Sequence, residues 1–464
     1  MTRANKENLT LEKYENEFSY QINKSNLNIS FNRIAFIFFV FLMISTIYSI
    51  KVLYLGSLNL DKELKNFTNI KEIFRADVVD RNGNFVAKTV ITVAAGINPK
   101  LVVNEKKLLI TLQSIFPNKK FKNFKERINK KKYFRFEEKF NQSEIEKLRL
   151  LGDKSIKFEK IISRIYPHEN LYSHIMGQID DSNIGISGVE KSFDYELKSE
   201  KEALRLTIDT DVQFLIREEL LRYQEIFRAK GSASILMDVN NGDVISMVSL
   251  PDFNLNKRNT LIDDNYINKV TKGTYELGSV FKPFTFAAGL NEEVIEVNTE
   301  FVDLPKSISC AGFPIREYDE KIPSDLSAEQ ILVRSGNIGS VRIAQRLGIE
   351  KLKNFLENIG VLSQIKFDIT EIANQQKFSW GKCRLATAAF GHGVTTTILQ
   401  LAKGYSIIAN GGYEIHPTLI KKNKKKLIKK KRILKEGVSE KVVTVLRKIV
   451  STKEGTAEQA NVKG

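Results

Sequence analysis

In the stretch Tyr275–Phe284, Tyr-Glu-Leu-Gly-Ser-Val-Phe-Lys-Pro-Phe, Ser279 and Lys282 stand three residues apart. A serine hydroxyl is a weak nucleophile until a base takes its proton. On a helix, residues three apart share a face, so Lys282 can reach Ser279. An amine serves as that base only when its pKa is lowered, by apolar burial or nearby cations, and Val280 and Phe281 offer apolar surroundings. Gly278 permits a sharp turn into a helix starting at about Ser279, whose N-terminus favours developing negative charge. Pro283 then falls in the first turn, where the missing N–H costs nothing. Taken alone, Ser-x-x-Lys is common, and its bland counterpart is a surface lysine on a helix.

A second pair lies downstream in Arg334-Ser335-Gly336-Asn337-Ile338-Gly339. Ser335 can relay a proton to a leaving amine, and Asn337 can hold a substrate amide or orient Lys282. By itself Ser-Gly-Asn is a helix cap; together with Ser279 and Lys282 it is far more specific. Gly273-Thr-Tyr-Glu-Leu-Gly278 approaches a phosphate-binding loop, but Ser279 stands where that loop needs lysine. No Gly-x-Ser-x-Gly elbow occurs. The four histidines (His168, His174, His392, His416) and two cysteines show no metal-ligand spacing, so neither metal nor cofactor is expected. Cys310 and Cys383 read as two buried free thiols, structurally incidental; pairing would need an oxidising compartment and a proximity the sequence does not give.

These groups need a folded frame, and 464 residues with 42% hydrophobic content supply one. That length is enough for two or more domains. The net charge of +17 comes from basic residues spread along the chain among 55 acidic ones, which describes a solvated surface and no nucleic-acid partner. The densest basic run, Lys421 to Arg432, reads as a solvated loop edge. Ile34 to Ile50 carries no charge and apolar character resumes at Val52, so 34–53 reads as one uncleaved membrane span of about 20 residues.

Arg75 to Gly83 (RADVVDRNG) alternates into an Asn-Gly turn, a hairpin signal. Lys106 to Lys160 reads as amphipathic helices rich in Lys and Glu. Arg164-Ile-Tyr-Pro167 and Gly185-Ile-Ser-Gly-Val-Glu190 suggest tight turns that fix one carboxylate. Thr210 to Gln213 is a capping box opening a helix with Val212, Leu215, Ile216, Leu220, Tyr223 and Phe227 at helical period. Ser232 to Val248 is two apolar runs about Asn240-Asn-Gly-Asp243, a second hairpin, and a boundary falls near Gly231. Gly411-Gly412 marks a turn, and Val442, Val445, Leu446 and Ile449 define a late helix expected to pack on the sheet.

With these pieces assembled, the sequence resembles a class B penicillin-binding protein, a monofunctional peptidoglycan transpeptidase, from the anchor to Gly464. The marks are RADVVDRNG, RIYP, GISGVE, YELGSVFKPF, SGNIG, Phe390 to Gly412 (FGHGVTTTILQLAKGYSIIANGG) and GTAEQA after Glu454, in order. The resemblance implies an α+β multidomain protein: a cytoplasmic tail (1–33), an anchor (34–53), a pedestal of dimerisation type (54–230) and an extracytoplasmic transpeptidase domain (231–464) of antiparallel sheet covered by helices. Glu276, three before Ser279, and the FGHG form resemble the septal, cell-division branch, with the elongation branch as alternative.

By that resemblance Ser279 acylates on the penultimate D-Ala of a stem peptide, Lys282, Ser335 and Asn337 assist, and Gly336, Gly391, Gly393 and Thr397 lie against the peptide. β-Lactams would trap Ser279. The family's third motif, Lys-Thr-Gly-Thr, belongs on a strand after GTAEQANVKG, so the C-terminal strands are expected to be lacking, with slow acylation. Ser279, Lys282, Ser335 and Asn337 are still expected within hydrogen-bonding range. No glycosyltransferase region appears, which implies a glycan polymerase and other division membrane proteins as partners. The alternatives are an inactive interaction protein of the division complex and a β-lactamase or sensor, the latter disfavoured by the pedestal.

Overall fold

The computed structural model describes residues 24–57, 74–117, 124–137, 142–257, 264–421 and 431–462. Most of the expected cytoplasmic tail (1–23) and of the lysine run (422–430) lies outside the described residues. The chain divides into two units, 1–70 and 71–464. In the first, helix α1 (Lys24–Ser57) contains Asn32–Tyr54, long and apolar enough to cross a membrane, with its large apolar side chains exposed. An all-round apolar surface of this length has no stable place in water.

The second unit begins with β1 (Val78–Val79), which turns at Asn82-Gly83 into the 13-residue β2 (Phe85–Ile97). The expected hairpin is therefore present. Next come α2 (Glu105–Ile115), α3 (Phe124–Asn129), β3 (Phe134–Glu137), α4 (Gln142–Leu150) and β4 (Ile156–Ile165). The segment expected to be helical throughout thus contains two strands. β4 pairs antiparallel with β2 from Lys88↔Ile165 to Ile97↔Ile156, and this long ladder overrides the charged, helix-like composition. Leu108, Leu112, Phe124, Ile128 and Leu148 from the helices close over Ala95, Ile97 and Ile156, a small separate core.

The turns of RIYP and GISGVE do fix one carboxylate. Glu190, fully buried, accepts from Arg75 Nε (2.8 Å), Arg164 Nε (2.8 Å) and the Tyr166 hydroxyl (3.1 Å). Arg75 also reaches Asp194 at 2.5 Å, so the ionic partners satisfy one another away from water. Gly188, at φ +60°, packs so closely on Gly177 that a Cβ would sit 2.6 Å from its backbone N. Glycine is obligatory there.

After β5 (Leu204–Arg205), which pairs parallel with β1, helix α5 (Thr210–Ile226) is capped by Asp209, whose carboxylate accepts from Asp211 and Val212 N–H. Thr210 is not the cap. Its hydroxyl donates to Asp80 at 2.5 Å, while Gln213 turns its amide into the sheet, bonding Leu171, Ser246 and Met247. Of the expected apolar stripe, Leu215, Tyr223 and Phe227 are exposed. Strands β6 (Ser232–Met237) and β7 (Val244–Leu250) form the second expected hairpin.

The mixed α+β class holds, with small sheets. The elements that follow are α6 (Lys282–Asn291), β8 (Glu300–Phe301), the hairpin β9 (Ser307–Cys310) and β10 (Phe313–Arg316), β11 (Leu326–Ser327) and α7 (Ala328–Val333). Then come α8 (Asn337–Asn358, kinked at Gly348), α9 (Lys382–Ala388), α10 (Ile398–Ala409) and α11 (Val438–Ser451). α6 is the central helix, buried from Lys282 to Leu290 and surrounded by α7, α8 and α11. α11 buries Val442 and Val445 in this helical core, not on the sheet as expected. The β6–β7 hairpin is already packed by α5 and α10, and α11 buries its apolar face against α6 and α7 instead.

The cysteine expectation is corrected here. Cys310, at the end of β9, and Cys383, at the start of α9, form a disulfide with Cα atoms 5.6 Å apart. The fold brings together two thiols that lie 73 residues apart in the chain. Among the described residues no cluster of metal-ligating side chains occurs.

Candidate active site

The YELGSVFKPF stretch crosses from loop to helix in two steps. Gly278, at φ +64°, opens a 3-10 turn (Gly278–Phe281), and α6 proper starts at Lys282 with Pro283 in its first turn. Ser279 is exposed on the 3-10 turn and Lys282 is buried one turn later. Phe281 and Phe284 meet edge to face at 5.7 Å, and Phe284 meets Tyr405 of α10 at 5.0 Å. The Tyr405 hydroxyl donates to the Val280 carbonyl at 2.8 Å, which pins the backbone next to Ser279 from α10. Sequence reading missed Tyr405; a lone tyrosine in the apolar run LAKGYSIIA was the available signal.

Ser335 lies in the left-handed region, at φ +56°. A residue with a Cβ is strained there by roughly 1–3 kcal/mol. That turn between α7 and α8 points both its carbonyl and its hydroxyl at Lys282, whose Nζ donates to them at 2.6 and 2.8 Å. Burial lowers the Lys282 pKa from its usual range to about 8, opposed by the field of the Glu317 carboxylate. The amine is thus poised to hold or lose a proton near neutral pH.

Asn337 stands at the first position of α8, but its side chain turns the other way, donating from Nδ2 to the Arg316 carbonyl at 2.8 Å. The Lys282 N–H donates to the Ser279 carbonyl as the 3-10 turn closes, but among the described residues no side-chain hydrogen bond joins Ser279 to Lys282, Ser335 or Asn337. Of the four side chains expected in range, the fold links those of Lys282 and Ser335 by a hydrogen bond and turns that of Asn337 to the Arg316 carbonyl. Glu317, just after β10, accepts from Asn337 N at 2.6 Å and Ile338 N at 2.9 Å. The sequence reading passed over it, because an isolated Glu in a charged loop carries no signal.

The Phe390–Thr397 stretch docks on the backbone that leads into Ser279. Tyr275 and Thr396 exchange backbone hydrogen bonds of 2.9 and 3.1 Å, and Gly278 N donates to Gly391 O at 3.2 Å. At Gly391 (φ +79°) a Cβ would stand 2.1 Å from the Gly278 carbonyl oxygen. Only glycine permits this approach. Arg384 from α9 donates to the Gly393 carbonyl. His392 faces Glu276 at 3.0 Å, an exposed pair joining the two loops, and its ring stacks on Phe390. Thr397 is buried and caps α10, its hydroxyl accepting from Gln400 N at 3.1 Å. A substrate-facing Thr397 does not fit that geometry. Gly336, at the N-cap of α8, has room beside it, with a Cβ meeting nothing closer than 3.6 Å.

Residues 232–464 match the penicillin binding protein transpeptidase domain, and residues 72–220 match the penicillin-binding protein dimerisation domain. The chain belongs to the penicillin-binding protein transpeptidase family. It is 28% identical over 397 residues to the probable peptidoglycan D,D-transpeptidase FtsI of Caulobacter vibrioides, covering 84% of this chain and 67% of that protein. It is 24% identical over 518 residues to peptidoglycan D,D-transpeptidase FtsI of Buchnera aphidicola, covering 95% of this chain and 88% of that protein. Against the FtsI of Escherichia coli K12 the identity is 26% over 348 residues, covering 69% of this chain but 58% of the relative.

Proposed function

We propose that the protein is a membrane-anchored septal peptidoglycan D,D-transpeptidase that acts through a Ser279 acyl-enzyme. The observation that carries this is the buried Lys282 amine held by Ser335, one turn beyond an exposed Ser279. Neutral Lys282 takes the Ser279 proton as Oγ attacks the carbonyl of the penultimate D-Ala of a stem peptide. The C–N bond to the terminal D-Ala breaks, and that amine leaves with the proton passed from Lys282 through the Ser335 hydroxyl. An amine from a neighbouring stem peptide then attacks the ester, Lys282 accepts its proton and returns it to Oγ as the C–O bond breaks, and the cross-link forms with Ser279 regenerated. A β-lactam opens on the same hydroxyl and stays attached. Gly391 and Gly393 shape the loop that borders the bound peptide, and Gly336 and Asn337 the opposite wall.

The body of the protein lies outside the cytoplasm, with α1 as its single span. The disulfide supports this reading, because such a bond persists in an oxidising compartment. Glycan strands come from a polymerase partner, together with other division membrane proteins. The test is labelling of the full gene product with fluorescent penicillin: one label is expected at Ser279, lost in Ser279→Ala. Normal labelling of that variant would end the serine-enzyme reading.

A further inference from the structure

We propose that Glu317, carried on the disulfide-held β9–β10 hairpin, is a positioning residue that supplies the missing side-chain cap of α8 and so sets Ser335 and Asn337 for the transfer reaction. The inference rests on the transpeptidase reading above. A helix start leaves its first N–H groups without partners, and the N-cap side chain normally accepts from them. At α8 the N-cap is Gly336, which has no side chain to offer. The two carboxylate oxygens of Glu317 come from another segment and take the first two N–H groups, Asn337 at 2.6 Å and Ile338 at 2.9 Å. Both bonds are charge-assisted and face the positive end of the helix.

The hairpin also holds the Asn337 side chain, through the Arg316 carbonyl next door. Backbone and side chain of Asn337 are therefore both set by residues 316 and 317. The hairpin does not float: Cys310 ties β9 to α9, and α9 supplies Arg384 to the Gly393 carbonyl, in the loop that docks on the backbone before Ser279. One covalent bond thus couples the two walls of the site.

Glu317 is also the charge that acts on Lys282. The helix of Lys282 carries no other charged residue. The segments packed about it carry Arg334, paired with Glu454 at 2.8 Å, Lys448, paired with Glu329 at 2.7 Å, the Glu276–His392 pair, and Arg316 on β10. The carboxylate favours the protonated amine, so its removal moves the pH at which Lys282 becomes a base downward.

The two roles separate by experiment. Acylation of the full gene product by fluorescent penicillin is followed from pH 6 to 10 for the parent, Glu317→Ala, Glu317→Gln and Glu317→Ala/Gly336→Ser, with melting temperatures recorded for each. Glu317→Ala is expected to lower the plateau acylation rate constant about tenfold, the scale of a lost cap at a reacting group. Adding Gly336→Ser, whose hydroxyl accepts in place of the carboxylate, should restore most of the plateau. The alkaline-rising limb should sit at lower pH in all three variants, because none restores the charge. A plateau and limb equal to the parent's in Glu317→Ala overturn the proposal, as does a loss that Gly336→Ser fails to recover while the variants remain folded. A parent that takes no label at Ser279 fails the transpeptidase reading itself, a different result.

Discussion

Two buried charge clusters in this chain are answered in opposite ways. In the pedestal, Glu190 meets two guanidinium groups and a phenol, and Arg75 has Asp194 besides, so the ionic partners satisfy one another. In the transferase core, the Lys282 amine donates to the carbonyl and hydroxyl of Ser335, its hydrogen-bond partners among the described residues and both neutral, with Glu317 acting through space while bound elsewhere. Ionic closure holds a charge fixed over a wide pH range and welds segments together. Neutral acceptors leave a buried amine able to shed its proton near physiological pH. The same burial of charge gives rigidity in one place and reactivity in the other.

The reactive cluster is broken most severely at the lysine. Lys282→Ala should slow penicillin acylation by about 10²–10⁴, the range for a lost general base. In the parent, the neutral amine gains population as pH rises through about 8, so the rate should climb there and level above it. Stability follows the same sign. Because the folded pKa lies below the usual lysine value, protonated Lys282 is a cost to the fold below about 8, relieved as pH rises beyond it. A flat profile in the parent, or the same limb in Lys282→Ala, would show that another group is the base.

The structural cluster should respond in stability and not in chemistry. Glu190→Gln leaves two buried guanidinium groups without their carboxylate, which costs about 3–5 kcal/mol. Denaturant midpoints read that loss, and penicillin acylation per folded molecule should stay at the parent rate. A change under about 1 kcal/mol would mean that Asp194 and the backbone acceptors suffice for both arginines, and the contrast between the clusters would soften.

How much of this was legible in the sequence follows from what each feature depends on. Local chemistry was readable: the Asn-Gly turns, the apolar span at 34–53, and the Gly278-Ser279 turn into a helix all follow from residues within a few positions. Motif spacing offered Asn337 as the residue that orients Lys282, whereas Ser335 holds the amine and Asn337 turns to the Arg316 carbonyl. What failed depended on distant segments. β4 is a strand because β2 lies beside it, Asp209 displaced Thr210 as cap because Asp80 claimed the threonine hydroxyl, and Thr397 was drawn inward by Gln400. Glu317 and Tyr405 act through contacts over long sequence separations, which no local pattern announces.

The cysteine pair belongs to the same class of misreading and gives the smallest expected effect of the three. Closing a 73-residue loop removes denatured-state entropy worth at most roughly 4 kcal/mol, and measured gains often fall below that. The pedestal cluster loses its stability when one charge is removed, whatever the redox state. The hairpin should lose its covalent hold only in reducing conditions. A dithiol reductant is therefore expected to lower the melting temperature of the parent to that of Cys310→Ser/Cys383→Ser, and to leave the double variant unchanged. Glu190→Gln should respond to reductant by the same increment as the parent, since the two sites share no partners and their effects should add. Alkylation of the unfolded parent without reductant decides the matter directly. No thiol should react; two alkylated cysteines would mean that the bond is not present in the protein as made, and the hairpin would then rest on its hydrogen bonds alone.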